Sequence, residues 1–130
     1  MSWTCVAVLG CRDVPAAVDY FADTLGFFFD PETGLFAPDA AEGPVYAIGS
    51  RDGVGVHLQI RRRPVFAAER EAIESDAYFY VDDADALFEE YVSKGVTFHY
   101  PICDEDYGMR DFAVVDPEGH RLAFGSPRSG

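Results

Sequence analysis

Three cysteines, three histidines and seven tyrosines are the side chains best equipped for chemistry in this 130-residue chain. Their spacing excludes several kinds. Cys5, Cys11 and Cys103 are odd in number and form no CxxC pair, so neither a disulfide framework nor a zinc knuckle is indicated. Cys103 runs directly into Asp104, Glu105 and Asp106. That negative field keeps a thiol protonated and argues against a nucleophile. No glycine-rich phosphate loop, GxSxG turn or Ser-His-Asp set is present. Binding chemistry remains. Strand alternation over 54–61 sends Val56, Leu58 and Ile60 to one face and Gly55, His57, Gln59 and Arg61 to the other. Over 76–81 it separates Ala77, Phe79 and Val81 from Asp76, Tyr78 and Tyr80. His57, Gln59, Asp76, Tyr78 and Tyr80 therefore share the faces away from the apolar layer. Each also has a plainer role: core packing for a tyrosine, a hydrogen-bonded strand histidine, a solvated strand start for Asp76.

The elements that must position these residues are written twice. Gly26 follows Asp13 by thirteen positions and Gly95 follows Asp82 by thirteen, so both landmarks recur 69 positions on. Asp13 suits an N-cap, Pro15 the first helical turn and Gly26 the stop. Val14, Ala17, Val18, Phe21 and Leu25 form the apolar face between them. In the second copy Asp82 or Asp83 caps a helix that ends at Gly95, with Ala84, Leu87, Phe88, Tyr91 and Val92 inward. Strands are expected at 3–9, 27–29, 35–37, 45–49 and 54–61, then at 76–81, 96–100, 110–115 and 121–124. Arg51-Asp52-Gly53 reads as a hairpin turn, and Asp116-Pro117-Glu118-Gly119 has the residues of a type I turn. The expected architecture is α+β, one domain of two βαβββ modules: 1–62, a linker 63–75 with a charged, helix-compatible middle, and 76–130. A concave sheet built from two such halves is a natural small-molecule site.

YGMRDFAVVDPEGHRLAFG (Tyr107–Gly125) resembles the closing hairpin of bleomycin-resistance proteins in the vicinal oxygen chelate superfamily, the group of glyoxalase I and the extradiol dioxygenases. RDVPAAVDYFADTLGF (Arg12–Phe27) and AYFYVDDADALFEEY (Ala77–Tyr91) resemble that group's two helical segments. The resemblance covers essentially the whole chain. It implies two cupped half-sheets around a cavity, a homodimer, and binding aromatics at Tyr46 and Tyr107. It also implies four metal-ligand positions, which fall on Val6, His57, Asp76 and Ala123. Val6 and Ala123 offer no donor atom, so the expectation is no metal and no other cofactor. His99 and His120 read as surface or edge histidines, and Arg110 as an ion-pair partner.

The composition fits this reading. The chain is 48% hydrophobic with a net charge of −13, carried against nine arginines and one lysine, Lys94. Such a field repels a phosphate backbone and draws in cations. No membrane span and no signal peptide are read in the sequence, so the expected location is the cytoplasm. The first functional expectation is a metal-independent protein that sequesters a cationic aromatic compound such as a bleomycin-like antibiotic. Its ligand-binding residues are Tyr46, His57, Gln59, Asp76, Tyr78, Tyr80 and Tyr107, and none is catalytic. One rival is a glyoxalase- or dioxygenase-type enzyme with a reduced or relocated metal site. The other is a metabolite-binding regulatory domain.

Overall fold

Alternating strand patterns and two capped helices produce two compact units, Met1–Phe66 and Ala67–Gly130. The computed structural model describes residues 2–63 and 70–128. Residues 64–69 of the expected linker, including Pro64, lie outside those residues; its end, 70–75, holds a turn rather than a helix.

In the first unit β1 (Ala7–Cys11) lies parallel to β5 (Val54–Ile60), and β5 lies antiparallel to β4 (Tyr46–Arg51). Two short pieces, β2 (Phe28–Phe29) and β3 (Leu35–Phe36), both pair with β4. β1 starts later than expected: Ala7 meets Val56 and Cys11 meets Ile60, while Trp3 stands in solvent. Burial sets this register, because it places Leu9 and Cys11 in the core beside Val56 and Leu58. Phe29 packs its ring against Gly49, where an added Cβ would fall 2.5 Å from it. The Asp52–Gly53 turn has φ of 48° and 84°, the positive values a two-residue hairpin requires.

Helix α1 (Val14–Asp19) begins at Asp13, whose carboxylate accepts the Ala16 N–H at 3.0 Å. It continues as one π turn over Tyr20–Thr24, closed by the Leu25 N–H donating to the Tyr20 carbonyl at 3.1 Å. That turn explains an irregularity in the repeat. Asp83, not Asp82, caps helix α2 (Ala84–Ser93), accepting the Ala86 N–H at 3.0 Å. From cap to stop glycine the first helix is therefore one residue longer, and a π turn absorbs one extra residue without breaking the helix. Gly26 and Gly95 both stop their helices with positive φ, 82° and 72°.

The second unit repeats the plan. β6 (Ala77–Tyr80) lies parallel to β9 (Arg121–Pro127), followed by β8 (Met109–Val115) and β7 (Thr97–Asp104) in antiparallel order. The core here is aromatic. Phe112 and Phe124 stack at 5.5 Å, Tyr91 of α2 meets both edge-on, and Phe79 stacks on Phe124 at 5.0 Å. Phe88 and Phe98 close the layer around Phe112. Val92, expected inward, is half exposed. The Gly119 N–H donates to the Asp116 carbonyl at 2.9 Å, as a β-turn requires.

Candidate functional site

In each unit the helix covers one face of the sheet, and strand parity sends the predicted site residues to the other. On the first unit's free face Tyr46 lies opposite Gln59 and Ile48 opposite His57, while Val8 lies beside His57 in the parallel pair. The Tyr46 hydroxyl and His57 Nδ1 are 2.8 Å apart, and the two rings meet edge-on at 5.4 Å. Phe36 stands edge-on to Tyr46 at 6.2 Å. Phe28, 64% exposed, pairs with Ser50 on this same face, and Val8, Ile48 and Phe36 are also exposed. This face is largely apolar and aromatic, with one tyrosine–histidine couple and the exposed Gln59 and Ser50 as its polar points.

On the second unit's free face Tyr78 and Tyr80 of β6 lie with ring centroids 5.2 Å apart. Asp111 faces the same way from β8 and is fully buried. Its Oδ2 accepts a hydrogen bond from the Tyr78 hydroxyl at 2.8 Å and a second from the Tyr107 hydroxyl. The Tyr107 hydroxyl also lies 3.0 Å from Glu105 Oε2, so its one proton is shared between two carboxylates, and Cys103 Sγ donates to the other Glu105 oxygen at 3.2 Å. Gly125 makes this arrangement possible, since a Cβ there would fall 2.0 Å from the Tyr78 hydroxyl. Burial and then the bond to Asp111 push the Tyr78 and Tyr107 phenols well above the ordinary tyrosine range. Burial, then the Asp111 charge, does the same to Tyr100. Burial and the neighbouring Glu105 push the Cys103 thiol up to about 11, in the direction the acidic run implies.

Asp76, expected among the binding residues, is engaged within its own unit. Its two oxygens take the Arg70 guanidinium at 3.2 Å each, and one also accepts the Arg121 N–H at 2.8 Å. Arg110 turns to Asp85 at 3.0 Å and Asp104 at 3.2 Å, which raise its pKa, and makes no pair with its neighbour Asp111. His99 lies 2.7 Å from the Ala72 carbonyl, and His120 lies 2.7 Å from Asp116, half-buried rather than on the surface.

The metal positions implied by the resemblance do not fit a divalent ion. Val6 and Ala123 have no donors, His57 Nδ1 is engaged by Tyr46, and Asp76 by two arginines. Elsewhere, ligand atoms of Cys103, Glu105 and Asp111 lie within 4.8 Å of one another. Sequence reasoning missed Asp111, Glu105 and Tyr100. The signal for Asp111 was available: it is the one charged residue that period-2 spacing places on the free face of the otherwise apolar stretch 111–115.

Two units with the same order of strand pairing, each with a helix on one face and aromatic residues on the other, define an α+β protein of duplicated plan. The model of the Glyoxalase/Bleomycin resistance protein/Dioxygenase superfamily matches residues 5–124, and the chain belongs to that family. The bleomycin-binding protein of bleomycin-producing Streptomyces verticillus, solved with copper(II)-bleomycin, is 28% identical with a TM-score of 0.71, covering 98% of each chain. TioX from Micromonospora sp. ML1 is 23% identical with a TM-score of 0.73, covering 98% of this chain and 100% of its own. A glyoxalase-related enzyme from Clostridium phytofermentans has a TM-score of 0.76 at 17% identity, covering 98% of this chain and 97% of its own. The last two share the fold. No curated protein sequence matches the chain.

Proposed function

We propose that this protein is a metal-independent small-molecule binder that sequesters a cationic aromatic compound, such as a bleomycin-like antibiotic, in the cytoplasm. The observation that carries the reading is the pair of aromatic sheet faces, Phe28, Phe36 and Tyr46 in one unit and Tyr78, Tyr80 and Tyr107 in the other. Aromatic side chains give a planar ligand a large contact area at low entropic cost. The 28% identity to a bleomycin-binding protein supports the ligand class, and a net charge of −13 attracts its cation. Tyr46, His57, Gln59, Tyr78, Tyr80 and Tyr107 contact the ligand in this reading, with Asp76 bracing the start of β6. A homodimer is part of the proposal.

Calorimetry with a bleomycin-type glycopeptide is the test. Saturable heat with protein stripped of divalent metal is the expected result. Absence of heat, with saturable binding of a neutral or anionic metabolite, discards the sequestration role. An enzyme reading gains ground only if purified protein retains one tightly held divalent metal per chain.

A further inference from the structure

Asp111 carries a charge problem that the protein does not solve by itself. The side chain is fully buried. Two phenols donate to Oδ2, yet Oδ1 has no hydrogen-bond partner among the described residues. Tyr100 is near enough to feel the carboxylate, but its hydroxyl makes no bond of normal length and angle to Oδ1. No arginine or lysine among the described residues pairs with Asp111: the adjacent Arg110 is held by Asp85 and Asp104. Glu105 adds a second carboxylate beside it. A buried carboxylate without a countercharge and with one bare oxygen is costly, because both lone-pair satisfaction and charge compensation are missing.

We propose that Asp111 is the seat for an N–H cation, a protonated amine or guanidinium on the ligand, with the rings of Tyr78, Tyr80 and Tyr107 as its walls. This rests on the reading that the free face of the second unit binds the ligand. The class of cation follows from the bare oxygen. An N–H donor supplies both the positive charge and the missing hydrogen bond. A quaternary ammonium or a sulfonium supplies charge alone, and the tyrosine faces favour it only through cation–π attraction. Tyr107 is the placeholder. It is 58% exposed, stands beside Gly108 with φ of 85°, and holds Oδ2 of Asp111 through its hydroxyl; an incoming group with more than one N–H bonds the bare Oδ1 and takes over this Oδ2 bond as well.

Three aryl-alkyl probes test this: 2-naphthylethylammonium, its trimethylammonium counterpart and the neutral 2-naphthylethanol, titrated by NMR against protein carrying labelled tyrosine rings. The ammonium should bind tightest and the alcohol weakest. Asp111→Asn keeps the shape of the side chain and should weaken the ammonium by about tenfold or more while leaving the alcohol unchanged. Tyr107→Phe removes the competing hydroxyl and keeps the ring, so it should tighten the ammonium alone. Equal affinity of all three probes, or an ammonium indifferent to both substitutions, overturns the proposal. So does Co2+ that displaces the ammonium with a thiolate absorption band lost in Cys103→Ser, because the cluster is then a metal site. A bleomycin-type glycopeptide run alongside separates the two readings. If it binds wild type and Asp111→Asn equally, the seat fails and sequestration stands. If it does not bind while the ammonium does so through Asp111, the seat stands and the antibiotic reading fails. No binding by any probe sinks both.

Discussion

Cys103, Tyr78, Tyr100 and Tyr107 owe their altered acidity first to the burial of their own sites, then to the fully buried Asp111 carboxylate and, for all but Tyr78, to its neighbour Glu105. Two outcomes follow at this scale. The Cys103 thiol, moved from 9.0 to about 11, should alkylate at pH 8 roughly a hundredfold more slowly than an ordinary thiol. Its rate should climb until the pH passes 11. Mass-spectrometric timing of iodoacetamide addition in a Cys5→Ser background reads this directly. The three phenols behave similarly. Native tyrosines keep their protons above pH 10 while those of the unfolded chain release theirs near the usual value of 10.0. The unfolded state then binds fewer protons, so stability is intact below pH 10 and falls as pH rises beyond it. Denaturant midpoints should drop above pH 10, with phenolate absorbance at 295 nm appearing together with unfolding. Asp111→Asn should soften that dependence.

Elements differ in how much they depend on their surroundings. The cap of α2 is local: Asp83→Ala removes the acceptor for the Ala86 N–H and should cost about 1 kcal/mol in thermal or urea unfolding. The aromatic layer beneath it is not local. Phe112 is fully buried among Phe88, Tyr91, Phe98 and Phe124, and Phe112→Ala should cost about 3–5 kcal/mol, since so packed a site cannot collapse around the gap. A cost near that of the cap would mean the ring layer is looser than its geometry implies. β7 shows how an element re-aims side chains. Its pairing slips between Phe98 and Tyr100 and again between Tyr100 and Cys103. Simple alternation puts 98 and 100 on one face, but the first bulge sends Phe98 to the helix and Tyr100 to the free face. The second turns Cys103 toward Asp111 as well.

Charge is the property that belongs to the whole molecule. With −13 spread over 130 residues, a cationic ligand is drawn from a distance set by the Debye length. That length falls from about 30 Å at 0.01 M salt to about 10 Å at 0.1 M. Stopped-flow association of a cationic ligand should therefore slow over this range, with dissociation little changed. Tyr107→Ala should do the reverse, speeding dissociation by removing a stacking face. Equal salt sensitivity of both rates would place the charge effect in the bound complex rather than in the approach. Among the described residues no helix is long and apolar enough to cross a membrane.

Local chemistry made the elements legible in the sequence. N-cap aspartates, stop glycines, the Asp52–Gly53 turn and period-2 strands act within a few residues, so both helices, most strands and the parity of His57, Tyr78 and Tyr80 could be read directly. The closing motif and the two helical segments also placed the chain in its family. Three things needed the tertiary structure. Between Asp82 and Asp83, both open as caps of α2, the fold chose Asp83, whose carboxylate reaches the Ala86 N–H. Asp76 found Arg70 and the Arg121 backbone, the latter 45 residues away. Tyr78 and Tyr107, 33 and 4 residues from Asp111, converged on one buried oxygen. Such meetings depend on strand register, and a bulge changes register with no mark in the local sequence pattern, so only the folded sheet decides which polar groups share a face.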